Sequence, residues 1–203
     1  MQHDHYYSAS PQSEHRFSVC EYAYRGTRLR FTTDAGVFSR GEVDFGTNVL
    51  LNALPGEMAG DVLDVGCGWG AIGIAVAKAN PGCRVVMTDV NQRAAELAEK
   101  NARENGVQAQ VLLGDGLGAV EGSFDFIVTN PPIRAGKQVI YGMFAAARDR
   151  LKPGGEMYLV IRKQQGADSA LKYLKTLFAC VDTVERSGGF HVIRCREEEN
   201  DAV

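Results

Sequence analysis

Apolar residues fall along the chain in two patterns. The first part, FSVCEYAYRGTRLRFTTD, alternates apolar and polar positions about Arg25-Gly26-Thr27 and predicts a β-hairpin. In its second arm Leu29 and Phe31 share one face, and Arg28 and Arg30 share the other. A helix is expected from about Asp44 to Leu54, where Pro55-Gly56 stops it. From Asp61 onward the pattern changes to short, nearly continuous apolar runs separated by helical stripes. DVLDV, RVVMTD, AQVLLGD, FDFIVTN and EMYLVIR read as buried strands. AIGIAVAKA, NQRAAELAEKNARENG and the segments near 138–151 and 167–178 read as helices.

The second of those helices places Ala94, Leu97, Ala98 and Ala102 on one stripe. It sets Glu96 and Lys100 one turn apart as a surface pair and ends at Gly106. The third aligns Ile140, Met143, Phe144, Ala147 and Leu151. Two strands close the chain, near 181–186 and 190–196, joined by Ser187-Gly188-Gly189. Alternating strands and helices with apolar strands imply an α/β fold: a doubly wound, mostly parallel sheet covered on both faces. The final link is too short for a crossover helix, so the last strand must run antiparallel. The expected organisation is an N-terminal extension with a hairpin, 1–43, and an α/β domain, 44–203, forming one structural domain overall.

Composition narrows the class. A chain of 203 residues can bury its own core. The net charge is −3, and Glu197, Glu198, Glu199 and Asp201 near the end account for all of it. No global basic field draws in nucleic acid, so any RNA contact must be local. No apolar run approaches the ~20 residues of a membrane span, and MQHDHYYSAS lacks the apolar stretch of a signal peptide. The expectation is a cytoplasmic protein with no membrane contact. Cys20, Cys67, Cys83, Cys180 and Cys195 form no CxxC pair, which gives no zinc site and suits a reducing compartment. His3 and His5 read as a solvated pair, and no metal is expected.

The chemistry concentrates at predicted strand ends. Asp64-Val65-Gly66-Cys67-Gly68-Trp69-Gly70 follows the first strand of the α/β unit, so bare backbone and helix amides meet a ligand there. Asp89, followed by Val90, ends the next strand, where an acid can accept both hydroxyls of an adenosine ribose. That role suits NAD as well as S-adenosylmethionine. Asp64 separates them: its charge repels a diphosphate but attracts the ammonium group of a methionine moiety. The spacing GxGxG, rather than GxGxxG, agrees. Asp115 ends the third strand and could meet the adenine amino group, with Gly116 leaving room.

FDFIVTNPPIRAGK brings the fourth strand to the same edge. Pro131 biases Asn130 away from helical geometry and Pro132 stiffens the next step. The loop then presents two acceptors, the Asn130 side-chain oxygen and the Pro131 carbonyl. Gripping both N–H bonds of an exocyclic amine favours a tetrahedral nitrogen whose lone pair can attack a sulfonium methyl.

Taken together, these residues resemble the class I S-adenosylmethionine-dependent methyltransferases over roughly 44–196. That family implies a seven-stranded sheet with its last strand antiparallel, and LKPGGEMYLVI is also similar to it. NPPI resembles the amino-methyltransferase motif, whose fourth place is commonly aromatic; Ile133 offers only an apolar face. NPPIRAGK, GVFSRGEVDFGTNVLL and HYYSASP are most similar to the short form of the bacterial guanine-N2 methyltransferases of small-subunit ribosomal RNA. The resemblance implies that Phe38 and the segment Asp44-Phe45-Gly46-Thr47 border the cleft. It also implies RNA, as ribosomal RNA or a ribosomal particle, as the partner. Better-known members carry a second, degenerate domain, which is not expected here. Among local basic residues, Arg134 and Lys137 leave the Asn130 loop directly and are the candidate phosphate contacts; Arg28, Arg30, Arg162 and Lys163 are further candidates. Two other readings stay open: methylation of a protein glutamine or small-molecule amine, and a non-catalytic partner subunit of the same fold.

Overall fold

The apolar runs become strands where the pattern places them. In the computed structural model, which describes residues 13–115, 117–118 and 120–197, β1 (Ser18–Tyr24) and β2 (Thr27–Thr33) form the hairpin. Arg25 and Gly26 both have positive φ at its turn, the twist that a two-residue hairpin loop requires. α1 (Phe45–Ala53) follows, capped by the Asp44 side chain on the Thr47 amide. Then come β3 (Gly60–Val65), α2 (Ala71–Ala79), β4 (Cys83–Asp89), α3 (Gln92–Glu104) and β5 (Ala109–Leu113). The chain continues through β6 (Phe124–Thr129), α4 (Lys137–Arg148), β7 (Leu151–Arg162), α5 (Ala167–Leu177), β8 (Cys180–Ser187) and β9 (Phe190–Arg196).

Seven strands make one sheet in the order β5-β4-β3-β6-β7-β9-β8. β3, β4, β5, β6 and β7 pair in parallel, whereas β9 runs antiparallel to both β7 and β8. This is the class I methyltransferase fold, with the antiparallel last strand that the short Ser187-Gly188-Gly189 link demands. One face is covered by α1, α2, α3 and the hairpin, around buried Phe31, Leu50, Ile74 and Leu97. α4 and α5 cover the other, around Ile140, Phe144, Leu174 and Phe178. No helix among the described residues is long and apolar enough to cross a membrane.

The hairpin is joined to the α/β unit through a buried amide. Asn101 of α3 accepts from the Thr32 amide at 2.8 Å and donates to the carbonyls of Thr32 at 2.9 Å and Trp69 at 2.8 Å. A fully buried amide whose groups all find partners fixes the register of the pieces it joins.

Two expectations are corrected. Glu96 and Lys100 do not pair: Glu96 accepts from Gln92 and Lys100 approaches Glu104 at 3.8 Å, each one turn along the exposed face. The fifth strand of the α/β unit begins at Leu151 rather than Glu156. Lys152-Pro153-Gly154-Gly155, which reads locally as a turn, forms an irregularity inside the strand: β6 pairs at Leu151 and again from Glu156, and the Lys152 amine between them bonds to Asp61 at 2.6 Å and Asp125 at 2.8 Å. HYYSASP, His3 and His5 lie outside the described residues.

Candidate functional site at the carboxyl ends of the strands

The ends of β3, β4 and β6 open onto one cleft of about 1370 Å³. Its floor is the glycine turn after β3. The amides of Gly66 and Cys67 both donate to the Thr88 carbonyl, at 2.8 and 3.0 Å, which binds the turn to the end of β4. Gly66 and Gly68 have φ of 69° and 57°, and a Cβ added at either would meet nothing within 4 Å. Bare backbone therefore faces the cleft at two positions where a side chain would be strained and would fill it. Cys67 and Val90 line the cleft beside them. Gly70 caps α2 with φ of 93°, turning the helix amino end toward the same space.

Asp89 lines the cleft and is already partly engaged. One carboxylate oxygen accepts from the Gly68 amide at 2.8 Å and the other from the Asn91 amide at 2.8 Å. Each oxygen retains acceptor capacity for a hydroxyl. Burial raises the Asp89 pKa against the pull of these amides. Asp115, exposed, borders the same cleft. Gly116 lies outside the described residues.

Asp64 lies deeper than Asp89. It is fully buried and does not line the cleft. One oxygen accepts from the Gly73 amide of α2 at 2.8 Å, and the other has no hydrogen-bond partner among the described residues. The residue precedes Val65 at the end of β3, beneath the glycine turn, so any attraction for an ammonium group is exerted from below that backbone. Its charge acts on the cleft through the backbone it supports. Burial pushes its pKa up to about 7, with the Asp89 charge adding to the rise.

The Asn130 loop forms the next part of the cleft. The Thr129 hydroxyl donates to the Val65 carbonyl at 2.8 Å, locking the end of β6 beside that of β3. The Asn130 side-chain nitrogen donates to Asp44 Oδ2 and to Thr47 Oγ1, both at 3.0 Å. A carboxylate can only accept, so this contact fixes which end of the amide faces it. The Asn130 oxygen is left without a partner among the described residues, next to Pro131. Pro131, Pro132 and Ile133 all line the cleft.

Phe38, 38 % exposed, lines it as well, and its carbonyl accepts from Trp69 Nε1 at 2.8 Å. Of the two candidate phosphate contacts, exposed Arg134 borders the cleft, whereas Lys137, the first residue of α4, does not line it. Arg162 borders the cleft, whereas Lys163, Arg28 and Arg30 lie away from it. Sequence reasoning missed Phe190, which lines the cleft from the start of β9. Among the described residues no cluster of three His, Cys, Asp or Glu is placed to hold a metal ion.

The glycine turn, the carboxylate ending β4 and the Asn130 loop share one sheet edge, the arrangement of a methyltransferase cleft. The profile of the methyltransferase small domain matches residues 28–194, and the chain belongs to that family. It is 39 % identical over 198 residues to YbxB of Bacillus subtilis, an uncharacterized protein, covering 96 % of this chain and 98 % of that one. It is 38 % identical over 185 residues to the ribosomal RNA small subunit methyltransferase C of Pseudoalteromonas atlantica. That match covers 88 % of this chain but 52 % of the relative. Among solved structures it is similar to the T. thermophilus 16S rRNA N2 G1207 methyltransferase in complex with AdoMet and guanosine. The TM-score there is 0.81 at 28 % identity, covering 93 % of this chain and 52 % of that one. The chain thus spans about half the length of these ribosomal RNA methyltransferases and nearly the whole of YbxB.

Proposed function

We propose that the protein is an S-adenosylmethionine-dependent N-methyltransferase acting on the exocyclic amine of a guanine in small-subunit ribosomal RNA. One observation carries the reading: the Asn130 amide is held by its nitrogen, which leaves its oxygen to accept from a substrate amine. The residues fit the cofactor. The exposed backbone of Gly66 and Gly68 receives a ligand, Asp89 offers acceptors to a ribose, and Asp115 stands at the third strand end. Bound there, S-adenosylmethionine supplies a methyl group on a positively charged sulfur. Asp64 and Asp89 make the floor of the cleft favourable to that charge.

Asn130 Oδ1 and the Pro131 carbonyl accept the two N–H bonds of the amine, which draws its lone pair out of conjugation with the ring. Asp44 and Thr47 keep the amide from rotating its own N–H groups toward the substrate. No strong base is required, since the proton leaves for water after methyl transfer. The likeness to the T. thermophilus and P. atlantica enzymes supports guanine in ribosomal RNA as the acceptor. Arg134 and Arg162 at the cleft supply the local positive charge that an RNA backbone needs.

The test is transfer of a labelled methyl group to ribosomal fractions from cells lacking the protein, followed by digestion to nucleosides. The expected product is N2-methylguanosine; label released among amino acids would overturn the acceptor. Asn130→Ala should lower kcat about 10²–10³-fold and leave cofactor affinity unchanged in calorimetry. Equal loss of both would remove Asn130 from the chemistry.

A further inference from the structure

The residues assigned to the cofactor end β3, β4 and β5, and Asn130 ends β6. Continuing across the same edge, β7 ends at Arg162, and its partner there in β9 is Phe190. Phe190 therefore lies two strands beyond Asn130, on the side away from the cofactor, about 10 Å along the sheet. It lines the same cleft as Asn130 and Ile133.

The ring is built into place. Phe45 packs against it with centroids 5.7 Å apart and planes tilted by 49°. A Cβ on Gly46 would lie 2.7 Å from Cε1 of Phe190, and one on Gly188 would run into the Phe45 ring, so both positions are kept bare for the aromatic pair. The same first turn of α1 holds the Asn130 amide through Asp44. Amide and ring are thus positioned by adjacent residues. Arg162, exposed, sits with its guanidinium carbon 5.7 Å from the Phe190 centroid. That face of the ring is one that already takes a flat, delocalised group.

We infer that Phe190 is the aromatic platform on which the acceptor base stacks, supplying what Ile133 lacks. This rests on the guanine reading above. Ile133 contributes an apolar edge beside the acceptor loop, and the Phe45–Phe190 pair carries the π-face, with Arg162 free to exchange from the ring to a flanking phosphate.

The experiment measures methyl transfer to RNA and cofactor binding for Phe190→Ala, Phe190→Leu, Phe190→Tyr and Phe190→Trp. Phe190→Ala should raise the KM for RNA about ten- to a hundred-fold, the effect of losing one base–aromatic stack, with cofactor affinity unchanged. Phe190→Leu, which keeps apolar bulk and guards against a folding artefact, should lose as much. The Tyr and Trp variants should stay within a few-fold of the parent. In Phe190→Trp, guanosine added to the cofactor-bound protein should quench fluorescence saturably and beyond any change in the parent, whose Trp69 is buried but lines the same cleft. A Leu variant with parental KM, a KM indifferent to Phe190→Ala, or parallel loss of cofactor binding would overturn the platform while leaving the proposed acceptor standing. Absence of methyl transfer to RNA by the parent protein would overturn the acceptor, and the platform with it.

Discussion

Asp44 serves two groups with one carboxylate oxygen. Oδ2 accepts from the Thr47 amide, capping α1, and from the Asn130 side chain 86 residues away. Asp44→Ala should cost ~0.5–2 kcal/mol of stability as a lost cap and lower kcat about ten-fold or more, because the Asn130 amide is then free to flip. Asp44→Asn should recover both, since an amide oxygen accepts the same bonds; denaturant melts and single-turnover rates check this. Failure of the Asn variant to recover kcat would mean that charge, and not acceptor geometry, sets the amide. At this scale the sequence was readable only in part. A loop presenting Asn130 and a helix beginning near Asp44 follow from local residue chemistry, but the hydrogen bond between Asn130 and Asp44 joins segments far apart in the chain. Asp64 shows the converse: its strand-end position was legible, yet the direction of its side chain depends on the pleat and on how closely α2 sits over β3.

α2 approaches β3 closely because Gly73 has no side chain. A Cβ there would lie 2.6 Å from Met87 Sδ and 3.2 Å from Asp64 Oδ2. Gly73→Ala should therefore destabilise the fold by ~1–3 kcal/mol, the range for overpacking, and weaken cofactor binding by lifting the glycine turn; urea titration and calorimetry measure the two effects. Element types were legible because each strand and helix carries its own period. The 71–79 helix and the 190–196 strand have the bounds that the pattern suggests. The start of β7 was not, since Pro153-Gly154-Gly155 does interrupt the ladder, and only the pairing of Leu151 with Phe124 of β6 carries the strand back beyond that interruption. Phe190 was hidden for a related reason: a single aromatic at the start of a strand looks like core until the sheet order is known.

For the whole molecule, the acids under the cleft set a pH dependence. Asp64 ionises near 7 when folded and near 3.9 in the unfolded chain. Its contribution to stability is thus fully present below about pH 4 and is lost as pH rises toward 7, with Asp89 acting in the same direction. Asp34, Asp61 and Asp125 have lowered values, so their opposite contributions fade only below the usual carboxylate range. Urea midpoints of the cofactor-free protein should fall between about pH 4 and 7, and Asp64→Asn should flatten that decline. An unchanged slope in the variant would assign the effect elsewhere.

The place of β9 has a further consequence for how the chain comes into being. It is the last of the described strands to leave a ribosome, yet it fits between β7 and β8 rather than on the outside of the sheet. Until it arrives β8 has nothing to pair with, and the aromatic wall is missing. A nascent chain can therefore assemble the nucleotide-side half of the cleft early. On the platform proposed for Phe190, the acceptor side of the cleft is complete only when that insertion finishes the sheet, which would make the final strand a built-in delay between folding and function.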